Sequence, residues 1–339
     1  MPQGPVSLAN EITLSDLTDL VRRNWTVMKE VLPHNAKNLY NSEFIGAGQG
    51  SSKLIEEFDG QTFASYKPEG TNSQKAFVGS GYSTTMSART FSKEIEITLE
   101  MRNDNRYQQI GQLITDLSTF CENRQDLDLT HRFTFATSTS YTDMDGQSIN
   151  VAMGDGFALA YNAHTLAFSA TTYSTRLTGD PAFSQTAYEA IMLQATTQTY
   201  NNFGDQRMLR FNKIWTGSDP ETVRIVQQML NSMADIDAVQ AGIINVYKND
   251  KQHVILPYLA STASGAYDST KRRWWGVIAT GMNGWQGYVG DWISPTLKTP
   301  APGNNGEDIH NYNWTYSAYC RYGITVVSAK GFQASCPTG

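Results

Sequence analysis

Apolar side chains recur at helical spacing near the beginning of the chain. Their intervals of three and four residues predict an amphipathic helix over 15–32, with Ser15 as its N-cap and Pro33 just beyond its end. The apolar positions of this stripe are Leu17, Leu20, Val21, Met28 and Val31.

A second and longer apolar stripe follows Asn103 and Asp104, which are candidate N-caps. It predicts a helix through 110–121, and the pattern continues toward Phe135, so this helix is expected to be unusually long. The stripe consists of Ile110, Leu113, Ile114, Leu117, Phe120 and Cys121.

Two shorter helices are indicated by their boundary residues. A helical pattern begins at Ser184 and reaches about Tyr200, after the break at 179–181 (Gly-Asp-Pro). Further along, 218–221 (Ser-Asp-Pro-Glu) provides a cap and a proline at the first helical position, and the helix it starts should end near Asn231.

Between the first two helices, the helical spacing gives way to short alternating pieces separated by glycines. The segment 46–82 is therefore predicted to form a long β excursion. A clean strand is predicted over 91–101, in which Ile95, Ile97 and Leu99 face one side.

The second half of the chain shows further β patterns. One strand is predicted over 208–215, and strands with Gly and Pro turns are predicted from Ile243 onward. Together with the helical stripes, these patterns predict an α+β fold.

Composition narrows the class of protein. Hydrophobic residues make up 40% of the chain, which is typical of a globular protein, while charged residues make up only 17% and the net charge is -6. A surface of neutral polar groups suits extensive subunit contact, and net acidity argues against a protein that wraps DNA through basic side chains. An ordinary secreted β protein is the alternative that composition leaves open.

Cysteines and hydropathy indicate where the protein is made. Cys121, Cys320 and Cys336 lack the pairing and spacing of a disulfide framework, which favours a reducing cytoplasm. The N-terminal residues do not have the pattern of a signal peptide. The uncharged stretch 274–290 contains too many glycine and polar residues for a bilayer helix, so no membrane contact is expected.

No catalytic or metal-binding motif emerges from the sequence, and no cofactor is expected. The segment 46–51 (Gly-Ala-Gly-Gln-Gly-Ser) has Ser51 where a phosphate-binding fingerprint needs its last glycine. The segment 143–146 (Asp-Met-Asp-Gly) opens like a calcium loop but lacks its later ligands, so a plain β-turn is expected there. We therefore do not expect an enzyme.

Three segments carry a resemblance to a known family. Residues 154–166 (GDGFALAYNAHTL), 245–259 (NVYKNDKQHVILPYL) and 319–327 (YCRYGITVV) are similar, in that order, to stretches of tailed-bacteriophage major capsid proteins with the HK97-like fold. Asp155, Gly156, Leu159 and His164 match the first stretch, whereas Thr165 replaces a frequent proline.

The resemblance implies an HK97-like α+β capsid fold with four segments. These would be an N-terminal arm with a helix (1–45), an extended β E-loop (46–93), a P-domain with a long spine helix (94–205 and 313–339), and an A-domain (206–312).

The resemblance also implies a function. The chain would be a major capsid protein that assembles into hexamers and pentamers of an icosahedral shell around the double-stranded DNA genome of a tailed phage, without binding that DNA specifically. Its location would be the virion, after assembly in the host cytoplasm, and its partners would be a separate scaffolding protein, a portal protein and in some cases a decoration protein. The alternatives are a shell protein of a cellular nanocompartment that encloses proteins, and a carbohydrate-binding virion protein that uses the aromatics of 274–292.

The glycine-rich arm is the candidate site of subunit contact. It carries scattered aromatic side chains but too few apolar residues for a core of its own, so we expect it to lie on a neighbouring subunit. A mobile surface hairpin is the alternative. The expected assembly contacts are Phe58, Phe63, Tyr66, Lys67, Lys75, Phe77 and Tyr82.

Overall fold

The computed structural model describes residues 14–31, 35–43, 45, 50–104, 106–232, 244–281, 284–300 and 312–338. The chain divides into two compact units. One unit contains the described residues of Met1–His34, Ala88–Gln125 and Asp291–Tyr322, and the other contains those of Asn35–Ser87, Asp126–Gly290 and Gly323–Gly339.

The fold mixes helices and strands, which confirms the predicted α+β class. The helices are α1 (Leu14–Val31), α2 (Leu99–Asn103), α3 (Tyr107–Thr134), α4 (Gln185–Thr197) and α5 (Pro220–Asn231), with short 3-10 turns at Lys37–Leu39 and Ser269–Lys271. The strands are β1 (Asn41–Glu43), β2 (Ser52–Gly60), β3 (Val78–Ser87), β4 (Arg89–Ile97), β5 (Ser140–Thr142), β6 (Ser148–Asn150), β7 (His164–Thr165), β8 (Thr172–Tyr173), β9 (Lys213–Thr216), β10 (Gln252–Ile255), β11 (Trp275–Ile278), β12 (Gly287–Lys298), β13 (Trp314–Val326) and β14 (Phe332–Ser335).

The first unit combines α1, α2 and the first part of α3 with an antiparallel strand pair. In that pair β4 runs beside β13, from Ile97 opposite Trp314 to Arg89 opposite Tyr322. The amphipathic spacing of α3 buries Ile114 and Leu117 completely. The two strands likewise bury Ile97 and Tyr316 completely.

The second unit is built on a four-stranded sheet with the order β10-β9-β11-β14. β9 and β10 are parallel, while β11 is antiparallel to both β9 and β14. Large aromatic side chains fill its core: Phe133 lies 5.2 Å from Trp215 between ring centroids, and Trp215 stacks on Phe332 at 5.7 Å.

The arm is an antiparallel hairpin of β2 and β3. Its register runs from Ser52 opposite Ser87 to Gly60 opposite Val78 and shifts between Glu56 and Phe58. Such an irregularity increases the local twist of a hairpin. The long β excursion predicted between the first two helices is thus confirmed as a two-stranded ribbon.

Several predicted helix boundaries are confirmed and others are wrong. Ser184 caps α4 by accepting a hydrogen bond from the backbone N–H of Ala187, and Asp219 caps α5 in the same way. Ser15, however, lies inside α1, which already begins at Leu14, so it is not the N-cap. Side chains 28–31 and residues 32–34 lie outside the described part of the chain, so the prediction that Pro33 follows the helix stays a prediction.

The long helix of 110–121 is confirmed as α3, which runs on to Thr134, but its predicted caps are wrong. Asn103 ends the short helix α2, and Asp104 is the C-cap of that helix. The physical reason is the Thr98 side chain, which accepts a hydrogen bond from the Met101 N–H and starts a separate turn of helix before α3.

The predicted strand over 91–101 ends earlier than expected, because Leu99 already belongs to α2 after the Thr98 cap. The strand predicted over 208–215 begins only at Lys213, where pairing with β10 and β11 starts. Met208 is instead almost fully exposed, without a strand partner beside it.

The remaining local predictions concern loops. The segment 143–146 is confirmed as a turn, since it joins β5 to β6 and Gly146 has a positive φ of 74°. The glycine motif at 46–51 lies mostly outside the described residues.

No helix among the described residues has the length and apolar character that a membrane crossing requires.

Candidate assembly surface

The β2–β3 hairpin has a buried face and an exposed face. Along β2, Ile55, Glu57 and Asp59 are buried, whereas Leu54 and Phe58 point to solvent. Successive strand side chains point to opposite faces, so the outer face of the arm presents large apolar side chains to solvent. The inner face, unusually, contains two carboxylates.

The segment 61–77 between the two strands is exposed along its whole length. Its aromatic side chains extend into solvent, with exposed fractions of 68% for Phe63, 88% for Tyr66 and 57% for Phe77. Contiguous exposed apolar surface on a soluble protein commonly marks an interaction site. The exposed residues among the predicted assembly contacts are Phe58, Phe63, Tyr66, Lys67, Lys75 and Phe77.

Two aromatic residues that the sequence analysis did not identify extend this surface. Phe168 and Phe203 stack at 5.1 Å between ring centroids, and Phe77 meets both of them edge-on, at 6.4 Å and 5.5 Å. Gly79 permits this approach, because a Cβ there would lie 2.9 Å from the Phe168 ring. The three phenylalanines are far apart in sequence, so no local spacing could have indicated the cluster.

Tyr82 differs from the other predicted contacts. Its side chain is half-buried, and its hydroxyl lies 2.8 Å from Oγ1 of Thr165. Tyr82 therefore packs within its own chain, beside the segment that resembles the capsid family.

A loop after α4, the anchoring loop (198–207), fixes the start of the exposed segment. The Nδ2 of Asn201 donates to the Gly60 carbonyl at 3.0 Å and to the Thr62 hydroxyl at 3.1 Å. The Thr62 N–H donates to Asp205 at 3.1 Å, and this bond, followed by the Asn201 side chain, lowers the pKa of the Asp205 carboxyl. The arm thus leaves the molecule at a defined point.

Beneath the arm lies a buried cluster of charged groups. The Lys330 ammonium donates to Glu57 at 2.8 Å, to the Asn202 side-chain oxygen at 2.8 Å and to Asp59 at 3.3 Å. Arg207 donates to the other oxygen of Asp59 at 2.5 Å. Two carboxylates and two cations are therefore balanced at the base of the hairpin.

This cluster can hold the arm because its charges are paired. Removing one partner from a buried ion pair typically costs about 3–5 kcal/mol, since the other charge is left without compensation. Glu57 and Asp59 come from β2, whereas Lys330 comes from the segment between β13 and β14. The acidic residues at alternate positions of β2 are a weak sequence signal for this cluster.

His164, one of the family-matching residues, belongs to a second buried cluster. Its Nδ1 lies 2.7 Å from Asp155, and its Nε2 lies 3.0 Å from the Thr175 hydroxyl. The order acid, imidazole and hydroxyl resembles a catalytic triad, but the His164 and Thr175 side chains are fully buried, and the Thr175 hydroxyl donates to the Leu159 carbonyl at 2.7 Å. The arrangement fixes the loop rather than presenting a nucleophile.

One histidine has a strongly shifted pKa. Burial lowers the pKa of His253 to about 4, and its Nε2 lies 2.8 Å from the Thr216 hydroxyl on the neighbouring strand. His253 is therefore neutral in the folded protein at physiological pH, and it lies in the sheet of the second unit.

The aromatics proposed for carbohydrate stacking are placed differently from what that alternative needs. Trp274, Trp275 and Trp285 are buried, and Trp275 donates its indole N–H to the Pro181 carbonyl at 3.0 Å. A sugar-binding groove requires exposed aromatic faces, so these three residues serve as core.

The described residues contain no group of three or more His, Cys, Asp or Glu side chains that could hold a metal ion. The predicted β-turn at 143–146 likewise binds its own backbone: Oδ1 of Asp143 accepts from the N–H groups of Asp145 and Gln147, both at 3.0 Å.

No protein-family model and no curated protein matches this chain. Solved structures do. A structure from Gordonia phage Cozz is 13% identical with a TM-score of 0.49, over 91% of this chain and 92% of its own. The capsid of Ralstonia phage GP4 is 9% identical with a TM-score of 0.48, over 89% and 87%.

A virus-like particle from Pyrococcus furiosus is also similar, at 9% identity and a TM-score of 0.43, over 93% of this chain and 98% of its own. Capsids of phages are thus among the solved structures to which this chain is similar.

Proposed function

We propose that this chain is the major capsid protein of a tailed bacteriophage, with an HK97-like fold, and that copies of it form hexamers and pentamers of an icosahedral shell around double-stranded DNA. The observation that carries the proposal is the arm: a hairpin with a fixed base and an exposed aromatic end. The same chain also has the segment order of that family, with the extended hairpin before a helix of 28 residues.

The exposed aromatics need a partner surface. Burying one large apolar side chain contributes about 1.5–3 kcal/mol, and the arm has Phe58, Phe63, Tyr66 and Phe77 to bury. A second copy of the chain is the natural partner, because a shell repeats the same contact around every symmetry axis. An arm held at its base by a buried charge cluster is suited to span the distance to a neighbour.

The charge of the chain is compatible with enclosing DNA. Its net charge is -6, so phosphates are not bound tightly by a basic surface. Under this proposal the protein resides in the virion, is assembled in the host cytoplasm, and works with separate scaffolding and portal proteins and in some cases a decoration protein.

Substitution of a single arm residue tests the proposal, with the size of the assemblies measured by light scattering of the purified protein. Tyr66→Ser should shift the population from large assemblies toward single capsomers or monomers, because the contact loses an aromatic anchor. The matched control is Met208→Ser, which removes an equally exposed apolar side chain (89%) outside the arm. Equal assembly of the two variants and the unmodified protein would show that the arm does not mediate subunit contact.

A further inference from the structure

The buried cluster beneath the arm contains the parts of a covalent cross-link. We propose that the Nζ of Lys330 and the side-chain carbonyl carbon of Asn202 become joined by an isopeptide bond within one chain, with Glu57 transferring the protons. This modification is independent of the proposed function, because it requires only the folded chain.

The contacts place the three groups as the reaction needs them. Lys330 Nζ is 2.8 Å from the Asn202 side-chain oxygen, so the amine lies against the amide that it would attack. One oxygen of Glu57 is 2.8 Å from Lys330 Nζ, and its other oxygen is 2.9 Å from Asn202 Nδ2. A single carboxylate therefore touches both the nucleophile and the leaving group.

Burial favours this chemistry. The side chains of Lys330, Glu57 and Asn202 are all buried, so water competes little for the amide. Moving a proton from the ammonium to Glu57 replaces two buried charges with two neutral groups, a change that a low-dielectric interior favours. The neutral amine is the nucleophilic form of lysine.

The neighbouring Asp59 carboxylate also lies 3.3 Å from the Lys330 ammonium, whereas Glu57 contacts both that ammonium and the Asn202 side-chain nitrogen, which assigns the proton transfer to Glu57. Asp59 accepts from Arg207 through one oxygen at 2.5 Å and from the Asn202 backbone N–H through the other at 2.9 Å. Asp59 thereby holds the backbone of Asn202 in place and is a positioning residue.

The atoms and protons of the reaction balance without an oxidant, reductant or other reactant. Glu57 takes one proton from the Lys330 ammonium, and the free amine adds to the side-chain carbonyl carbon of Asn202. The tetrahedral carbon then expels its original nitrogen as ammonia after that nitrogen has received the proton from Glu57. Glu57 next takes the surplus proton from the newly bonded nitrogen and passes it to the ammonia, which leaves as ammonium. One N–C bond forms, one N–C bond breaks, and Glu57 returns to its starting state.

Gly81 makes room for this arrangement. A Cβ at position 81 would lie 2.3 Å from Asn202 Nδ2 and 2.9 Å from Glu57 Oε2. Those distances are too short for any side chain, so only glycine lets the amide and the carboxylate meet beside β3. The bond would join the anchoring loop to the segment after β13, across 128 residues of sequence.

Mass spectrometry of the full-length denatured protein tests the proposal. The expected mass is one ammonia below the value for the unmodified chain. Trypsin should release a branched peptide in which 177–207 is joined to 322–339, with no cleavage after Lys330. Recovery of linear 177–207 and of 322–330 cleaved after Lys330, together with the unmodified mass, would overturn the proposal.

Variants separate the chemistry from folding. Glu57→Gln keeps the shape of the side chain and one acceptor oxygen but cannot take the proton, so the folded variant should keep its unmodified mass. Asn202→Asp should lose water instead of ammonia when it cross-links. Should Glu57→Gln fail to fold, Lys330→Arg provides the second test, because it retains the positive charge and cannot form this bond. A mass loss of one ammonia in either Glu57→Gln or Lys330→Arg would contradict the mechanism.

Discussion

Single residues in this protein explain why the sequence revealed some features and concealed others. Ser184 and Asp219 act as the caps that their sequence context predicts, since capping depends on neighbours within three residues. The partners of Glu57 come from Asn202 and Lys330, which are 145 and 273 positions away in the chain. Because these residues are so far apart in sequence, no local pattern could have predicted that their side chains meet.

The first residue-scale prediction concerns Gly81. Gly81→Ala should destabilise the fold by about 2–4 kcal/mol, because its Cβ would overlap the Asn202 amide and unpair part of the buried cluster. The measurement is the free energy of unfolding in denaturant.

The matched control is Gly111→Ala in α3, where a Cβ meets nothing within 4 Å. Alanine is favoured over glycine in a helix by about 0.5–1 kcal/mol, so this variant should be more stable than the original. Equal effects of the two substitutions would show that Gly81 has no steric role.

His253 gives a prediction about pH. Its pKa is lowered to about 4 in the folded protein from 6.5, so the unfolded chain binds an extra proton between those values. The contribution of His253 is therefore fully present above about pH 6.5 and declines as the pH falls toward 4. Melting temperatures across this range should fall less steeply for His253→Gln than for the original protein; parallel curves would refute the role of His253.

At the scale of elements, the helices were predicted better than the strands. Helix α3 shows the reason. Its apolar positions repeat at helical spacing within one continuous segment, and that segment forms a single helix of 28 residues. The strands depend on partners that are distant in sequence. A strand was predicted over 208–215, but the observed strand is only Lys213–Thr216, where β10 and β11 supply hydrogen bonds.

The stripe of α3 also carries a stability prediction. Leu117 is completely buried, so Leu117→Asp would place an unpaired carboxylate in an apolar interior at a cost of several kcal/mol and should prevent folding. Asn123→Asp, on an exposed position of the same helix, should change the melting temperature little. Circular dichroism and thermal melting of both variants provide the check, and an unchanged Leu117→Asp transition would contradict the packing.

For the whole molecule, the sequence predicted the α+β class and the order of its main elements. The order of helix, extended arm and long helix follows from patterns along the chain. The exposed Phe77–Phe168–Phe203 surface and the charge cluster beneath the arm required three dimensions, because each joins residues from separate segments. Tyr82 illustrates the limit: its half-buried side chain bonds to Thr165 within the chain, so its role as an assembly contact stays a prediction.

At this scale, we propose that the exposed end of the arm makes the subunit contacts on which shell assembly depends. The decisive variant replaces 62–76 with Gly-Ser-Gly, which removes the exposed segment and retains the buried face of β2 and the charge cluster. A shortened surface loop changes loop-closure cost by only about 0.6 kcal/mol per halving of its length, so this variant should remain folded.

Negative-stain electron microscopy of the purified original protein and of this variant, with melting curves on the same samples, is the most direct measurement. We expect closed shells of uniform size for the original chain, and a folded variant with a similar melting temperature that forms no closed shells. Shells of normal size from the variant, or an original protein that remains monomeric at every salt and protein concentration, would contradict it.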